Sequence, residues 1–76
     1  MNKRITDIVN LIRKNKQLPE YAPIQTETSL HDDLGFDSFD LAELTVRIED
    51  EFGVDIFEDG IVTTIGEILD KLPDEQ

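Results

Sequence analysis

The chain contains no cysteine. No disulfide holds it together, and no side-chain thiol of its own does chemistry. It has one histidine, His31, which without cysteine leaves no basis for a zinc site. A serine-hydrolase triad needs a base and an orienting group beside the nucleophile, and a lone histidine in a loop supplies neither reliably. Basic residues are scarce: 7 Lys and Arg stand against 18 Asp and Glu, for a net charge of -11. The phosphate backbone would repel such a chain, so no nucleic-acid partner is expected; steering toward basic partners is. No apolar run is long enough to span a membrane. The polar, basic start after Met1 does not read as a secretion signal, and the expected location is cytoplasmic. Nowhere do apolar and polar residues alternate as a strand requires. Internal repeats and low-complexity segments are absent as well.

What is present is helical. With 76 residues, the expectation is one domain, 1–76, free-standing and monomeric, around a small core. Ile5, Ile8, Val9 and Ile12 follow the spacing of one helix face, extended by Met1 and edged by Leu11. Thr6 and Asp7 near its start, and Arg13, Lys14 and Lys16 near its end, suit the helix dipole. A first helix over about residues 2–16 follows, stopped at Leu18-Pro19. The connection from 17 to 37 is long for a compact domain. Its apolar residues Leu18, Tyr21, Ile24, Leu30 and Leu34 read as pegs that tie it over the core. Ser29 followed by Asp32 suits the cap of a single turn. Gly35 permits a sharp bend.

The second helix, 38–52, is the clearest element. Leu41, Leu44, Thr45, Ile48 and Phe52 form its core stripe. Asp40, Glu43, Arg47 and Asp50 point the other way, toward solvent. Phe39, Ala42 and Val46 form a separate apolar line beside them. Apolar contact next to oriented charge suits recognition; scattered surface apolar residues are the plainer reading. Gly53 ends the helix. Val54-Asp55-Ile56-Phe57 returns apolar residues to the core. Residues 58–61 suffice for one short helical turn. Thr64 and Glu67 have capping-box spacing, and Ile65, Ile68, Leu69 and Leu72 carry a last helix over 64–72, closed by Pro73. The fold class is all-α: a small four-helix bundle of three main helices and one short one.

Charge is placed unevenly. Between residues 27 and 59 the only Lys or Arg is Arg47, among many carboxylates. That field surrounds Ser38, where the acidic loop enters the second helix. Ser38 lacks the Gly-x-Ser-x-Gly setting of a nucleophile elbow. The window from Asp32 to Glu43 has the length of a calcium loop, but Leu34 and Phe36 stand where oxygen ligands belong, and Asp37 where glycine is required. No metal site is expected. A phosphate ester on Ser38 would meet the unsatisfied amides and partial positive charge of a helix start. Ser38 or Asp37 acting simply as an N-cap satisfies the same helix physics.

The run Leu34-Gly35-Phe36-Asp37-Ser38-Phe39-Asp40 resembles the phosphopantetheine attachment motif of acyl carrier proteins. The resemblance continues through Glu43-Leu44, Ile48-Glu49-Asp50-Glu51-Phe52-Gly53, Ile56 and Val62-Thr63-Thr64-Ile65, and covers nearly the whole chain. It implies that Ser38, with Asp37 as motif neighbour, carries a 4'-phosphopantetheine arm. A phosphopantetheinyl transferase would install the arm from coenzyme A, supplying the base and metal for that step. The arm's thiol would hold acyl groups as thioesters for partner enzymes of fatty acid, lipid or polyketide-type biosynthesis. The carrier itself is then no catalyst. The resemblance further implies docking of basic surfaces on acyl-loading, acyl-transfer or condensing enzymes. It assigns that role to Phe39, Asp40, Ala42, Glu43, Val46, Arg47, Glu49 and Asp50. Leu44, Ile48, Ile56 and Ile65 match positions that line an acyl shelter. Phe39 in place of the usual leucine, Arg47 on the docking face, and Phe57 where proline is usual point to a specialised carrier. An aminoacyl or peptidyl carrier, or an unmodified acidic adaptor, are the alternatives.

Overall fold

The computed structural model describes residues 3–58 and 60–72. Met1, Asp59 and the stretch from Pro73 to Gln76, on which sequence expectations also fell, lie outside them. Three α-helices form among the described residues: α1 (Lys3–Asn15), α2 (Ser38–Phe52) and α3 (Ile65–Lys71). One core joins them. Ile5, Val9 and Ile12 enter it from α1, Leu44 and Ile48 from α2, Ile65 and Ile68 from α3. Each such side chain contributes about 1.5–3 kcal/mol through burial.

The first helix does not end where proline alone would stop it. Gln17 adopts a left-handed backbone with φ 65. Leu18 N–H then donates to Arg13 O at 2.9 Å and Gln17 N–H to Lys14 O at 2.9 Å. This is a Schellman motif, which satisfies the last carbonyls before Pro19 is reached. Asp7 lies beyond the first turn, which holds no acid; it pairs with Lys3 at 3.3 Å instead of facing the dipole.

Both other helices carry reciprocal N-caps, of which only the pair at α3 was expected from spacing. At α2 the Asp37 side chain accepts from the Asp40 backbone N–H, and the Asp40 side chain accepts from the Asp37 N–H. Gly53, at φ 73, closes it with its N–H bonded to Glu49 O. At α3 Thr64 and Glu67 make the reciprocal pair. Both arrangements satisfy amides that the helix itself leaves unpaired.

The long connection is firmly held. Ile24, Leu30, Leu34 and Phe36 are buried in the core, with Tyr21 half-buried against it; Leu18 is half-buried as well. Ser29 opens a single turn as expected: its hydroxyl accepts from Asp32 N–H at 3.0 Å. The reciprocal carboxylate is Asp33, at 2.7 Å from Ser29 N, rather than Asp32. The same segment fastens to the start of α3. Leu30 N–H donates to Thr63 O, Ile65 N–H to Thr28 O and Gly66 N–H to Thr26 O, at 2.9, 3.0 and 2.8 Å. Ser29 and Thr64 form a single antiparallel bridge there.

The short fourth helix is replaced by a turn among the described residues. Glu58 N–H reaches Asp55 O and Gly60 N–H reaches Phe57 O, each at 3.2 Å, and Gly60 at φ 136 takes the chain out of helical space. Ile56 is buried beneath this turn, while Val54 and Phe57 pack on the core's rim.

Candidate functional site: the start of the second helix

Ser38 is the first residue of α2, and its side chain is exposed. Asp37, not Ser38, is the N-cap. The serine hydroxyl is therefore not the group that closes the helix start, and it lies within reach of a visiting enzyme. A 15-residue helix places the positive end of its dipole at that hydroxyl. A phosphate ester on Ser38 would sit against that end, so the residues present fit a phosphopantetheine arm.

Hydrogen bonding from the Asp40 backbone N–H, helped by the Lys16 ammonium, holds Asp37 below the usual carboxylate range. Asp37 is thus ionised at neutral pH, as its cap requires. His31 is occupied by its neighbour Asp32, at 3.1 Å, and lies in solvent.

The expected docking residues divide. Phe39 is 83% exposed and Val46 64% exposed, with Ala42 exposed between them. The strip beside Ser38 is therefore real surface. Glu49 and Asp50 are exposed too. Glu43 and Arg47 are half-buried and pair with each other at 2.8 Å, so Arg47 answers a carboxylate of its own helix. Asp40 does not point to solvent as its helical position suggested. It is buried, 8% exposed, because its carboxylate turns back to cap the helix and to meet Lys16. Ile61, 86% exposed in the segment before α3, is an apolar surface residue that helical periodicity had no means of finding.

Carboxylates crowd where helix energetics oppose them. The last turn of α2 contains Glu49, Asp50 and Glu51 and no basic residue. That end of a helix carries partial negative charge and favours cations. Arg4 offsets Glu51 from across the bundle at 3.3 Å. Glu49 and Asp50 project from the same turn into solvent.

Leu44, Ile48, Ile56 and Ile65, the expected acyl-lining set, are fully buried in the common core. An open hollow of about 610 Å³ lies elsewhere, beside α3, with Val54, Asp55, Glu58, Ile61, Val62, Glu67, Asp70 and Lys71 around it. Among the described residues no cluster of His, Cys, Asp and Glu is arranged to hold a metal, and no helix is long and apolar enough to cross a membrane.

Two residues of the site were invisible to periodicity. Arg13 is buried, and Lys16 is partly covered. Arg13 donates through Nε to Pro19 O at 2.9 Å and through Nη1 to Leu34 O at 2.6 Å. Lys16 Nζ donates to Gly35 O at 3.1 Å and to Asp40 Oδ2 at 2.5 Å. Both reach from the end of α1 to the segment that leads into Ser38. A basic last turn was the only local signal, and it serves helix-dipole arguments equally well.

The fold is that of a small helical bundle with an exposed serine, itself not the cap, at the head of an acidic helix. The family described as the phosphopantetheine attachment site matches residues 6–72. The chain belongs to that family, whose site carries 4'-phosphopantetheine. Its relatives include the mitochondrial acyl carrier protein of Saccharomyces cerevisiae, 38% identical over 56 residues, or 74% of this chain and 45% of that protein. The chloroplastic acyl carrier protein 2 of Spinacia oleracea is 31% identical over 70 residues, 90% of this chain and 53% of that protein. The chain thus spans about half the length of the curated relatives it matches.

Proposed function

We propose that this domain is an acyl carrier whose arm is attached at Ser38, and the observation that carries the reading is that Asp37 caps α2 while Ser38 stays exposed beside it. A phosphopantetheinyl transferase binds the acidic helix and provides base and metal. Ser38 Oγ forms an ester bond to phosphorus of the coenzyme A pyrophosphate as the bond to the nucleotide half breaks. The adenosine bisphosphate leaves, and the hydroxyl proton goes to the transferase's base. The arm's terminal thiol supplies the sulfur on which acyl groups are held as thioesters, which suits a chain with no cysteine. Tethering raises the concentration of the cargo at a partner's active site without catalysis by the carrier.

Partners of acyl loading, transfer or condensation dock through the exposed strip Phe39, Ala42 and Val46, with Glu49 and Asp50 setting orientation against basic surfaces. Glu43 and Arg47 present a paired, near-neutral patch between them. Carboxylates kept at the unfavourable end of α2 support a recognition role, since helix stability does not explain them. Room for an acyl chain among Leu44, Ile48, Ile56 and Ile65 opens only when those packed side chains part. The names of the relatives point to acyl groups as the cargo. The cytoplasmic address expected from the sequence belongs to the same proposal, and cell fractionation checks it.

Incubation with coenzyme A and a broad-specificity transferase tests the reading by intact mass. The wild-type chain gains the mass of one arm, and Ser38→Ala gains none. A wild-type chain left unmodified, yet still captured by basic partners, would instead establish an unmodified acidic adaptor. Intact mass of the protein taken from its own cell identifies the load, aminoacyl cargo included.

A further inference from the structure

We propose that Lys16 is a positioning residue for the esterification of Ser38: it pins the segment on both sides of the serine and neutralises the carboxylates beside the incoming phosphate. The proposal rests on Ser38 as the attachment point. Lys16 lies just beyond the end of α1, yet its Nζ touches three residues that bracket Ser38. It donates to Gly35 O at 3.1 Å and to Asp40 Oδ2 at 2.5 Å, and lies 3.9 Å from Asp37 Oδ2.

The geometry ties two functions to one ammonium group. Asp40 Oδ2 also accepts from the Asp37 backbone N–H at 2.9 Å. The cap of α2 and the tether from α1 therefore converge on a single carboxylate oxygen. Gly35 stands in the left-handed region at φ 76 two residues before the cap, so its carbonyl is aimed by a bend that Lys16 secures. The Lys16 and Asp40 side chains are 28% and 11% exposed, so this pair is better shielded from water and salt than an ordinary surface pair.

The charge argument is separate. The phosphate that reaches Ser38 is anionic, and the adjacent carboxylates of Asp37 and Asp40 oppose it. Lys16 is the cation that meets both. Without it, the serine would be flanked by uncompensated negative charge, and the segment carrying it would lose its link to α1. Misplacement of a nucleophile by a fraction of a bond length lowers a transfer rate steeply.

The experiment uses the full chain as wild type, Lys16→Met, Lys16→Arg, Asp40→Asn and the Lys16→Met/Asp40→Asn double variant. Circular dichroism melts set an assay temperature at which all are folded. Initial rates of arm addition are read by intact mass, and amide exchange at Phe39, Asp40 and Leu41 is read by NMR on unmodified protein. Lys16→Met is expected to lower the modification rate about tenfold and to speed exchange at those amides. Lys16→Arg restores most of the rate. In the Asp40→Asn background the loss caused by Lys16→Met shrinks, because the carboxylate it answers has been removed; a loss that came through the Gly35 bond alone would persist there. Equal rates for wild type and Lys16→Met, an undiminished loss in the Asp40→Asn background, or unchanged amide exchange would each overturn the role of Lys16. Failure of the wild type itself to accept the arm would overturn the Ser38 reading instead, and is distinguished by that control.

Discussion

Arg13 donates a 2.6 Å hydrogen bond to the carbonyl of Leu34, 21 positions away, in the interior. The same guanidinium binds Pro19 O and stacks 5.3 Å over the Tyr21 ring. One side chain thus closes both ends of the connection that delivers Ser38.

Removing that side chain should cost stability. Arg13→Met leaves carbonyls without their charged donor, a loss of about 1.5–3 kcal/mol by urea denaturation. Arg13→Lys recovers only part, because an ammonium lacks the planar fork that bridges two carbonyls and stacks on a ring. Equal stability of Arg13→Met and wild type would show that the tether is idle.

Gly35 and Gly53 both hold positive φ, at 76 and 73. A Cβ at Gly35 would meet Leu18 Cδ1 at an ordinary 3.8 Å, and at Gly53 it would meet nothing, so space is not the obstacle. The left-handed backbone is. Alanine at either position should destabilise by about 1–2 kcal/mol in chemical denaturation. Gly66 differs: its Cβ would lie 3.0 Å from Thr26 O, so Gly66→Ala must shift the Thr26 backbone slightly away from α3. Faster amide exchange at Ile65 and Leu30 would report that displacement.

Acid should weaken the fold through two caps. Asp37 is held low chiefly by the Asp40 backbone N–H, and Glu67 by the backbone N–H groups of Thr63 and Thr64. A carboxylate depressed in the folded state stabilises above its ordinary range, near pH 4, and loses that contribution as pH falls through its folded value. Melting temperature should therefore be flat above about pH 5 and fall below it. Asp37→Asn and Glu67→Gln should each flatten that fall. Lys16 is raised, mainly by its bond to Asp40, so its contribution persists at neutral pH and fades only on strong alkalinisation.

Docking and stability should respond in opposite directions at the end of α2. Asp50→Lys places a cation where the helix favours one and should stabilise by about 0.3–1 kcal/mol. The same change should slow modification by the transferase, most at low salt. Phe39→Ala, on an exposed side chain, should alter stability by no more than about 0.5 kcal/mol while weakening docking. A large loss of stability would place Phe39 in the core and remove it from the recognition strip.

The three helices and the caps at Gly53 and Thr64 were legible in the sequence because all of them are local. A period of 3.6 residues separates Leu44 and Ile48 from Phe39 and Val46 without reference to any other part of the chain. Thr64 with Glu67, and Gly53 after Phe52, mark helix ends by chemistry within a single turn. Tertiary structure decided which carboxylates stay in solvent and what holds the segment before Ser38. Asp40 looked solvent-facing by rotation about the helix, yet it turns inward to an ammonium 24 positions earlier in the chain. The loop's attachment to Thr63 and Gly66, and the burial of Phe36, are likewise set by which backbone groups meet once the core has closed. Spacing along a chain carries the direction of a side chain on its own helix; it does not carry the identity of the distant group waiting there.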